Sequence, residues 1–287
     1  MPAPVSFDAV IPPKMAVKAE EVGVSKAVMG WRNTFALAVL AGAFIGLGAM
    51  FATTVTTGAA ELPFGVGKLL GGLVFCLGLI LVVVAGAELF TGNNLIVMAW
   101  ADGRVSSGQV LRNWALVYAG NFVGSIATAG LMFMTRQYTF SSGALGLNIL
   151  NIANAKTGLD FAQAIALGIM CNALVCLAVW LCFSARTTTD KILSIIFPIT
   201  AFVAAGFEHS IANMYFIPMG LLVKAGAPPL FWDSIGKTAA DYANLTWTNF
   251  FLANLLPVTI GNVIGGSVMV GLVYWFIYIR KGVTAGS

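Results

Sequence analysis

The sequence is poor in charge, in histidine and in the residue clusters that bind metals. Only 9% of its 287 residues are charged, which excludes an ordinary soluble domain. One histidine cannot supply a cluster of metal ligands, and none of the four cysteines belongs to a Cys-x-x-Cys pair. We therefore expect no catalytic residue, no metal and no cofactor. The net charge of +4 is interpreted as membrane orientation and not as a nucleic-acid partner.

What the sequence has in excess is apolar residues in long runs. The hydrophobic fraction is 59% and the mean hydropathy is +0.91. Uninterrupted runs favour α-helices over the alternating pattern of a membrane barrel. The sequence predicts an all-α membrane protein with six spans, at about residues 33–57, 69–101, 110–135, 161–184, 192–223 and 249–279. The second and fifth runs are too long for one straight span of a hydrocarbon core about 30 Å thick, so both are predicted to be broken helices.

The two broken spans share a motif, which indicates an internal duplication. The frame V-x-A-G-x-E-x-x-x-x-N occupies residues 83–93 and recurs 120 residues later, at 203–213. The segment G-N-x-x-G at 120–124 recurs at 261–265. Because each copy holds three spans, the second must insert upside down, and inverted repeats place a permeation site where the two breaks meet. The G-x-x-x-G spacing, also present at Gly42–Gly46, predicts close helix packing.

Residues that interrupt helices lie in both long runs. Gly92, Asn93 and Asn94 tolerate backbone conformations outside the helix, so they are expected to break the first run. Pro198 and Pro218 are expected to interrupt the second run.

Four polar residues of the breaks carry the candidate chemistry. The exposed N–H groups of the second half-helices suit an anion or a polar solute, and Thr91 and His209 add a hydroxyl and an imidazole there. An intramembrane histidine is interpreted as functional by default, and its ring titrates near physiological pH. Glu88 and Glu208 could form a proton relay, but two carboxylates would repel an anion. We expect them instead to cap the freed N–H groups of their own breaks.

Two asparagines, Asn172 and Asn262, lie mid-span with no charged neighbour in sequence. They either dock the broken segments or line the path, and the sequence does not separate these two roles.

Charge and composition suggest how the chain is divided and oriented. We predict a cytoplasmic amphipathic segment at 1–30, a six-helix channel domain at 31–280 and a cytoplasmic tail at 281–287, with repeats at about 31–135 and 160–280. With both termini inside, ten lysines and arginines face the cytoplasm and five face outward, which fits the positive-inside rule. This predicts a multi-pass protein of the bacterial inner membrane. The segment at 1–30 is either a helix lying on the membrane surface or a gate over the pore.

Several motifs resemble those of a known family. The segments V-V-A-G-A-E-L-F-T-G at 83–92 and G-I-M-C-N-A-L-V-C-L-A at 168–178 resemble signatures of the formate/nitrite transporter family. Residues 207–214 and 257–266 are also similar to that family. The resemblance implies an aquaporin-like protomer in a homopentamer, with one pore in each protomer and a lipid-plugged central hole. It implies a channel that passes formate and similar small monovalent anions in both directions.

The resemblance also implies roles for individual residues. Thr91 and His209 would form the central site, and Lys156 would draw anions into an outer vestibule. Asn172 and Asn262 match polar pore-lining positions. The N-terminal segment resembles a gating element, and a formate-producing enzyme such as pyruvate formate-lyase is implied as a cytoplasmic partner. Apolar constrictions are implied at Phe75, Leu79, Leu89, Phe90, Val175 and Phe202.

Three alternatives remain open at this stage. A nitrite or hydrosulfide channel of the same family is the nearest, because relatives differ in subtle pore residues. A neutral-solute channel of the aquaporin type predicts Asn-Pro-Ala at both breaks, and the sequence contains no such tripeptide. A membrane-embedded enzyme needs clustered histidine, aspartate or cysteine ligands, which the single histidine cannot provide.

Overall fold

The computed structural model describes residues 8–280, and its regular elements are all helical over that range. Five helical segments there are long and apolar enough to cross a membrane: Trp31–Val55, Phe64–Ala85, Ser107–Met134, Phe161–Ser184 and Ala239–Tyr278. The remaining predicted span is divided into two half-helices of 17 residues each. The prediction of an all-α, six-span protein with broken second and fifth spans is confirmed. The predicted tail at 281–287 and residues 1–7 lie outside the described residues.

The α-helices follow one another along the chain as α1 (Pro12–Val28), α2 (Trp31–Thr56), α3 (Phe64–Ala85), α4 (Val97–Ala101), α5 (Ser107–Met134), α6 (Ala144–Thr157), α7 (Phe161–Ser184), α8 (Thr188–Ala204), α9 (Ser210–Gly226), α10 (Pro229–Ile235), α11 (Trp247–Asn249), α12 (Leu256–Val263) and α13 (Val273–Tyr278). The π-helical segments Phe250–Leu255 and Ile264–Leu272 join α11, α12 and α13 into one continuous last span. Short 3₁₀ helices lie at Ala59–Glu61, Gly92–Ile96, Gln137–Thr139 and Ala239–Tyr242. The sequence did not predict α6 or α10.

The breaks occur at a glycine of the shared motif and not at the residues predicted to cause them. Helix α3 ends at Ala85 because Gly86 has a φ of 81°, and Gly206 has a φ of 74° two residues after α8 ends. Only glycine adopts this conformation readily. Gly92–Ile96 instead forms a 3₁₀ turn that starts the second half of the first broken span, so the predicted break at 92–94 was wrong by several residues.

The two prolines predicted to interrupt the second run do not end a helix either. Pro198 lies inside α8 and Pro218 inside α9. A packed membrane helix tolerates proline because neighbouring groups bind the carbonyl that the proline leaves free.

Glycines set the distance between the helices that flank each break. A methyl group at Gly124 of α5 would collide with the carbonyl oxygen of Val39 in α2. In the second repeat, a methyl group at Gly265 of the last span would collide with the carbonyl oxygen of Ile169 in α7. The predicted close packing at the G-x-x-x-G segments is confirmed, and it brings α2 onto α5 and α7 onto the last span.

This packing predicts different results for two glycines of α5. Gly124→Ala should destabilise the protein by about 3 kcal/mol or more, because the backbone of α2 must move to admit the methyl group. Gly130→Ala is the matched control, since a methyl group at Gly130 would meet no other atom within 4 Å; alanine should be neutral or stabilising there by up to about 1 kcal/mol. Thermal unfolding of the detergent-solubilised variants measures both effects. Equal stability of the two variants would show that the close helix contact is not needed.

Candidate functional site

The two breaks meet through one hydrogen bond in the interior. Thr91 Oγ1 lies 3.0 Å from Nε2 of His209, and both residues are buried. Thr91 belongs to the first broken span and His209 to the second, so the contact joins the two repeats. The ring of His209 also stacks on Phe202 at a centroid distance of 5.9 Å. The structure therefore brings together the two residues predicted to form the central site.

A backbone contact fixes the tautomer of His209. The residue is the N-cap of α9, and its Nδ1 accepts a hydrogen bond of 3.0 Å from the N–H of Ala212. In the neutral ring the proton must then lie on Nε2, which donates it to Thr91 Oγ1. The hydroxyl hydrogen of Thr91 is consequently not used in this contact and is free to point at another acceptor.

The two glutamates of the shared motif are held by lysines. Glu88 Oε1 lies 2.6 Å from Lys26 Nζ, and Glu208 Oε1 lies 2.7 Å from Lys156 Nζ. The prediction that both carboxylates cap freed backbone N–H groups was wrong. A nearby ammonium compensates a buried carboxylate better than neutral N–H groups do, and it neutralises the charge. Lys156, predicted to draw anions into an outer vestibule, is thus half of an ion pair.

Asparagines complete each ion pair in the same way. Asn93 Nδ2 donates to Glu88 Oε2 at 2.6 Å, and Asn213 Nδ2 donates to Glu208 Oε2 at 2.6 Å. The same two amides donate to a second asparagine, Asn113 in repeat one at 2.9 Å and Asn254 in repeat two at 2.7 Å. That second asparagine donates in turn to the carbonyl oxygen of the lysine, Lys26 or Lys156. Each break therefore contains a closed lysine–glutamate–asparagine network.

This network shows that the repeat is longer than three spans. Lys26 lies on α1 and Lys156 on α6, so these two helices occupy equivalent places in their repeats. The apolar face of α1 packs on the protein, with Met15, Ala16 and Ala19 buried. The apolar residues of this face therefore contact the protein, and the position of the helix, on the membrane surface or over the pore, stays a prediction.

The freed backbone groups are satisfied by a third pair of asparagines. Asn121 Oδ1 accepts from the N–H of Phe90 at 2.9 Å, and its amide donates to the carbonyl oxygens of Ala38 and Glu88. Asn262 repeats this arrangement with the N–H of Ser210 at 2.9 Å and the carbonyl oxygens of Gly168 and Glu208. Of the two predicted roles for Asn262, docking of the broken segment is the one that the structure shows.

Asn172 also docks a break, but it reaches across to the other repeat. Its amide donates to the side-chain oxygen of Asn94 at 2.8 Å and to the backbone oxygens of Asn262 at 2.7 Å and Thr91 at 3.3 Å. Because these contacts use its donors, Asn172 positions Thr91 from behind.

Two cavities reach the break region from opposite ends. The first, of about 510 Å³, is called the Lys156 vestibule and is also lined by Phe75, Phe202 and His209. The second, of about 410 Å³, is called the Lys26 vestibule and is also lined by Leu79, Leu89 and Glu88. The rings of Phe75 and Phe202 meet edge to face at 5.6 Å. The contact between Thr91 and His209 thus lies between two vestibules with largely apolar walls.

Four of the six predicted constriction residues lie on these walls. The other two, Phe90 and Val175, are also buried but line neither vestibule. The ring of Phe90 packs against α5, with centroid distances of 4.9 Å to Tyr118 and 6.1 Å to Trp114.

Comparison with known proteins identifies the family. The formate/nitrite transporter model matches residues 13–276. The chain belongs to the formate/nitrite transporter family. The formate channel FocA of Escherichia coli K12 is 48% identical over 275 residues, which cover 96% of each chain, and FocA of Haemophilus influenzae is 44% identical over 83% of this chain and 84% of its own. A solved pentameric formate channel with formate bound matches with a TM-score of 0.83 and 51% identity over 87% of this chain and 98% of its own. An FNT family ion channel matches with a TM-score of 0.77 and 29% identity over 92% of this chain and 98% of its own.

In this formate/nitrite transporter family member, the N-terminal helix forms one wall of the Lys26 vestibule. It is held there by Arg104, whose guanidinium lies 3.2 Å from Glu20 Oε1. Burial raises the pKa of the Glu20 carboxyl, and the charge of Arg104 opposes that rise. Among residues 8–280, no group of three or more histidine, cysteine, aspartate or glutamate side chains could hold a metal ion.

Sequence reasoning missed most of the polar network, although the signals are present. In the sequence, Lys26 served only as one of the positive charges that indicate membrane orientation, and nothing linked it to Glu88. Asn113 and Asn254 each precede a repeated Gly-Asn by the same distance, eight residues before Asn121 and Asn262. That equal spacing could have identified all four asparagines.

The Lys156–Glu208 ion pair predicts that Lys156 matters far more for stability than Lys68, which lines the same vestibule. Lys156→Met should destabilise the protein by about 3 kcal/mol, because Glu208 is left buried without its cation. The double variant Lys156→Met/Glu208→Gln should recover most of that loss. Lys68→Met, which changes an exposed lysine, should change stability by less than about 0.5 kcal/mol. Thermal unfolding in detergent compares the three variants, and a Lys156→Met variant as stable as wild type would show that the ion pair does not hold the break.

Proposed function

We propose that this protein is a channel that passes formate and similar small monovalent anions in both directions across the bacterial inner membrane. The observation that carries the proposal is the Thr91–His209 contact, a buried polar pair between two lysine-bearing vestibules. Its support from relatives is the name formate channel on the FocA proteins and the bound formate in the solved pentameric relative.

Each vestibule offers an anion an attractive but not a deep electrostatic well. Lys156 and Lys26 are both paired with glutamates, so each pair acts mainly as a dipole whose ammonium end is partly exposed. A lone buried ammonium would bind formate too tightly for passage. The paired lysine gathers anions at the mouth and still releases them.

The narrow part of the path removes most of the water around the anion. Phe75 and Phe202 from one side and Leu79 and Leu89 from the other cannot replace the lost hydrogen bonds. Thr91 can, because its hydroxyl hydrogen is not engaged by His209. A carboxylate that has lost its water at the centre thus accepts a hydrogen bond from the Thr91 hydroxyl. The Nε2 atom of His209 lies 3.0 Å from the same hydroxyl oxygen.

The tautomer of His209 bears on whether formate crosses as an anion or as formic acid. A neutral ring has one proton, on Nε2, and can only lend a hydrogen bond. A ring that donates a proton must first carry protons on both nitrogens. The N–H of Ala212 would then face an N–H group, and the loss of that helix cap costs about 1–2 kcal/mol. The geometry therefore favours the anion in the hydrogen-bonded form at neutral pH and admits proton transfer at acidic pH.

The proposal extends to assembly and orientation. We place the Lys26 vestibule and both termini on the cytoplasmic side, which follows the distribution of lysine and arginine. The pentameric relative supports a homopentamer in lipid, and exposed apolar side chains such as Leu131, Leu193 and Phe197 suit contacts with lipid or with neighbouring protomers. A formate-producing enzyme such as pyruvate formate-lyase would dock at the mouth of the Lys26 vestibule.

Uptake by proteoliposomes tests the substrate. Formate, nitrite, hydrosulfide and glycerol are compared with the purified protein in liposomes of the same lipid composition. Formate should pass fastest and glycerol should not pass above the rate of empty liposomes. Faster nitrite or hydrosulfide flux would assign the channel to another substrate of the family, and fast glycerol flux would support a neutral-solute channel.

His209→Asn tests the role of the imidazole. Asparagine is a good N-cap residue, so α9 should keep its first hydrogen bond and the variant should fold and assemble like wild type. An asparagine side chain takes up no proton, so formate flux should lose any pH dependence or direction preference that comes from the imidazole. Flux against pH in proteoliposomes, with size-exclusion elution as the control for folding, gives the answer. A well-folded variant with an unchanged pH profile would mean that His209 only braces the break.

A further inference from the structure

The two vestibules correspond residue by residue, which makes any difference between them informative. Residues of α1 and α2 correspond to those of α6 and α7 130 positions later, and residues of α3 and the first break correspond to those of α8 and α9 120 positions later. On this correspondence Lys26 matches Lys156, and Glu88 matches Glu208. All four residues line the equivalent vestibules. Where a charged residue in one vestibule corresponds to a neutral residue in the other, the charged residue is therefore a candidate for a role that only one mouth has.

Two such positions lie in the Lys26 vestibule, at Lys18 and Lys191. Their counterparts in the Lys156 vestibule are Asn148 and Gly71, both neutral. Lys18 and Lys191 are half-buried, and among the described residues no carboxylate lies within 4.0 Å of either ammonium. The Lys156 vestibule has one additional lysine, Lys68, but that residue is exposed at the rim and lies over the ring of Phe64.

The charge of Lys18 is not needed for the contact that it makes. Lys18 Nζ donates to the carbonyl oxygen of Phe183 at 3.2 Å, near the end of α7. Asn148 donates to the carbonyl oxygen of Thr53 at 2.9 Å, and Thr53 corresponds to Phe183. A neutral amide thus performs the same structural task in the other repeat. A full positive charge in the vestibule is an addition to that task.

The position of Lys191 is unfavourable unless something offsets its charge. It lies in the first turn of α8, which begins at Thr188, and the positive end of a helix dipole repels a cation there. The carboxylate of that turn, Asp190, accepts hydrogen bonds from the backbone N–H groups of Arg186 and Thr187 and forms no ion pair with Lys191. Lys18 lines the same cavity and adds to the repulsion. Among the described residues that line this vestibule there are three lysines and one glutamate, Glu88. The carboxylate of Glu88 is already bound to Lys26. An anion in the vestibule would relieve both repulsions.

We propose that Lys18 and Lys191 form a docking site for small monovalent carboxylates in the Lys26 vestibule, a site that the Lys156 vestibule lacks. This inference rests on the proposed function as a formate channel. The consequence is that the two mouths bind formate unequally. The mouth at the Lys26 vestibule should reach half-maximal flux at a lower formate concentration than the mouth at the Lys156 vestibule.

The test measures formate flux from each side separately. Proteoliposomes are prepared in both orientations, which are assigned with an impermeant thiol reagent on the single-cysteine variants Gly108→Cys or Gly65→Cys in a cysteine-free background, because both glycines are exposed and lie near the starts of α5 and α3. Lys18→Asn copies the neutral contact of Asn148, and Lys191→Gln removes the second charge. Each should raise the formate concentration for half-maximal flux from the Lys26 side about threefold at low salt. Flux from the Lys156 side should not change, and the difference should shrink in about 1 M inert salt, where the screening length is about 3 Å.

Three variants serve as controls. Lys18→Arg and Lys191→Arg keep the charge and should behave like wild type, which separates charge from shape. Asn148→Lys places the missing charge in the Lys156 vestibule and should lower the half-maximal concentration on that side.

The outcomes distinguish the docking site from the proposed function. Unchanged or equally changed values on both sides, in neutral variants that elute like wild type, would overturn the docking site while formate transport stands. A wild-type protein with no saturable formate flux from either side would overturn the proposed function, and the docking site with it.

Discussion

A helix that is broken at membrane depth leaves backbone N–H and C=O groups without partners, and each such group costs several kcal/mol in hydrocarbon. Here the breaks follow Gly86 and Gly206, and the groups that they free are bound by Asn121 and Asn262. Each of these asparagines also binds a carbonyl oxygen of the helix behind it, α2 or α7. A glutamate in each break is buried and needs a counter-charge, which a lysine on α1 or α6 supplies. Helix α1 therefore lines the Lys26 vestibule and also supplies the cation that stabilises the first break, and α6 does the same for the Lys156 vestibule and the second break. An anion that approaches either mouth meets an ammonium group that the ion pair with the break holds in place.

The chemistry at the centre depends on where the two repeats differ. His209 corresponds to Leu89, and Thr91 corresponds to Ile211. Each repeat thus contributes one polar and one apolar side chain at these two positions, and the polar ones meet at 3.0 Å. Loss of strict symmetry at these positions produces a single complementary pair.

Much of this arrangement could be predicted from the sequence, and the failures have physical causes. The span count, the inverted repeat and the pairing of Thr91 with His209 follow from run length and from the recurring motif. The position of the breaks could not be derived reliably, because Gly86, Gly92 and the prolines are all competent to end a helix. The partners of Glu88 and Glu208 were also missed. Their lysines are 62 and 52 residues away in sequence, and no local pattern indicates so distant a contact.

A second difference between the repeats bears on how firmly Thr91 is held. Asn172 corresponds to Gly42, and Gly266 corresponds to Ser125, so the polar residue and the glycine have exchanged helices. Asn172 donates to the carbonyl oxygen of Thr91 at 3.3 Å, whereas Ser125 reaches the equivalent carbonyl oxygen of Ile211 only at 3.5 Å. A methyl group at Gly266 would collide with the Asn172 amide. The glycine is therefore what admits the larger donor. The stronger restraint falls on the break that carries the Thr91 hydroxyl, and the weaker one on the break that carries an isoleucine at the equivalent position.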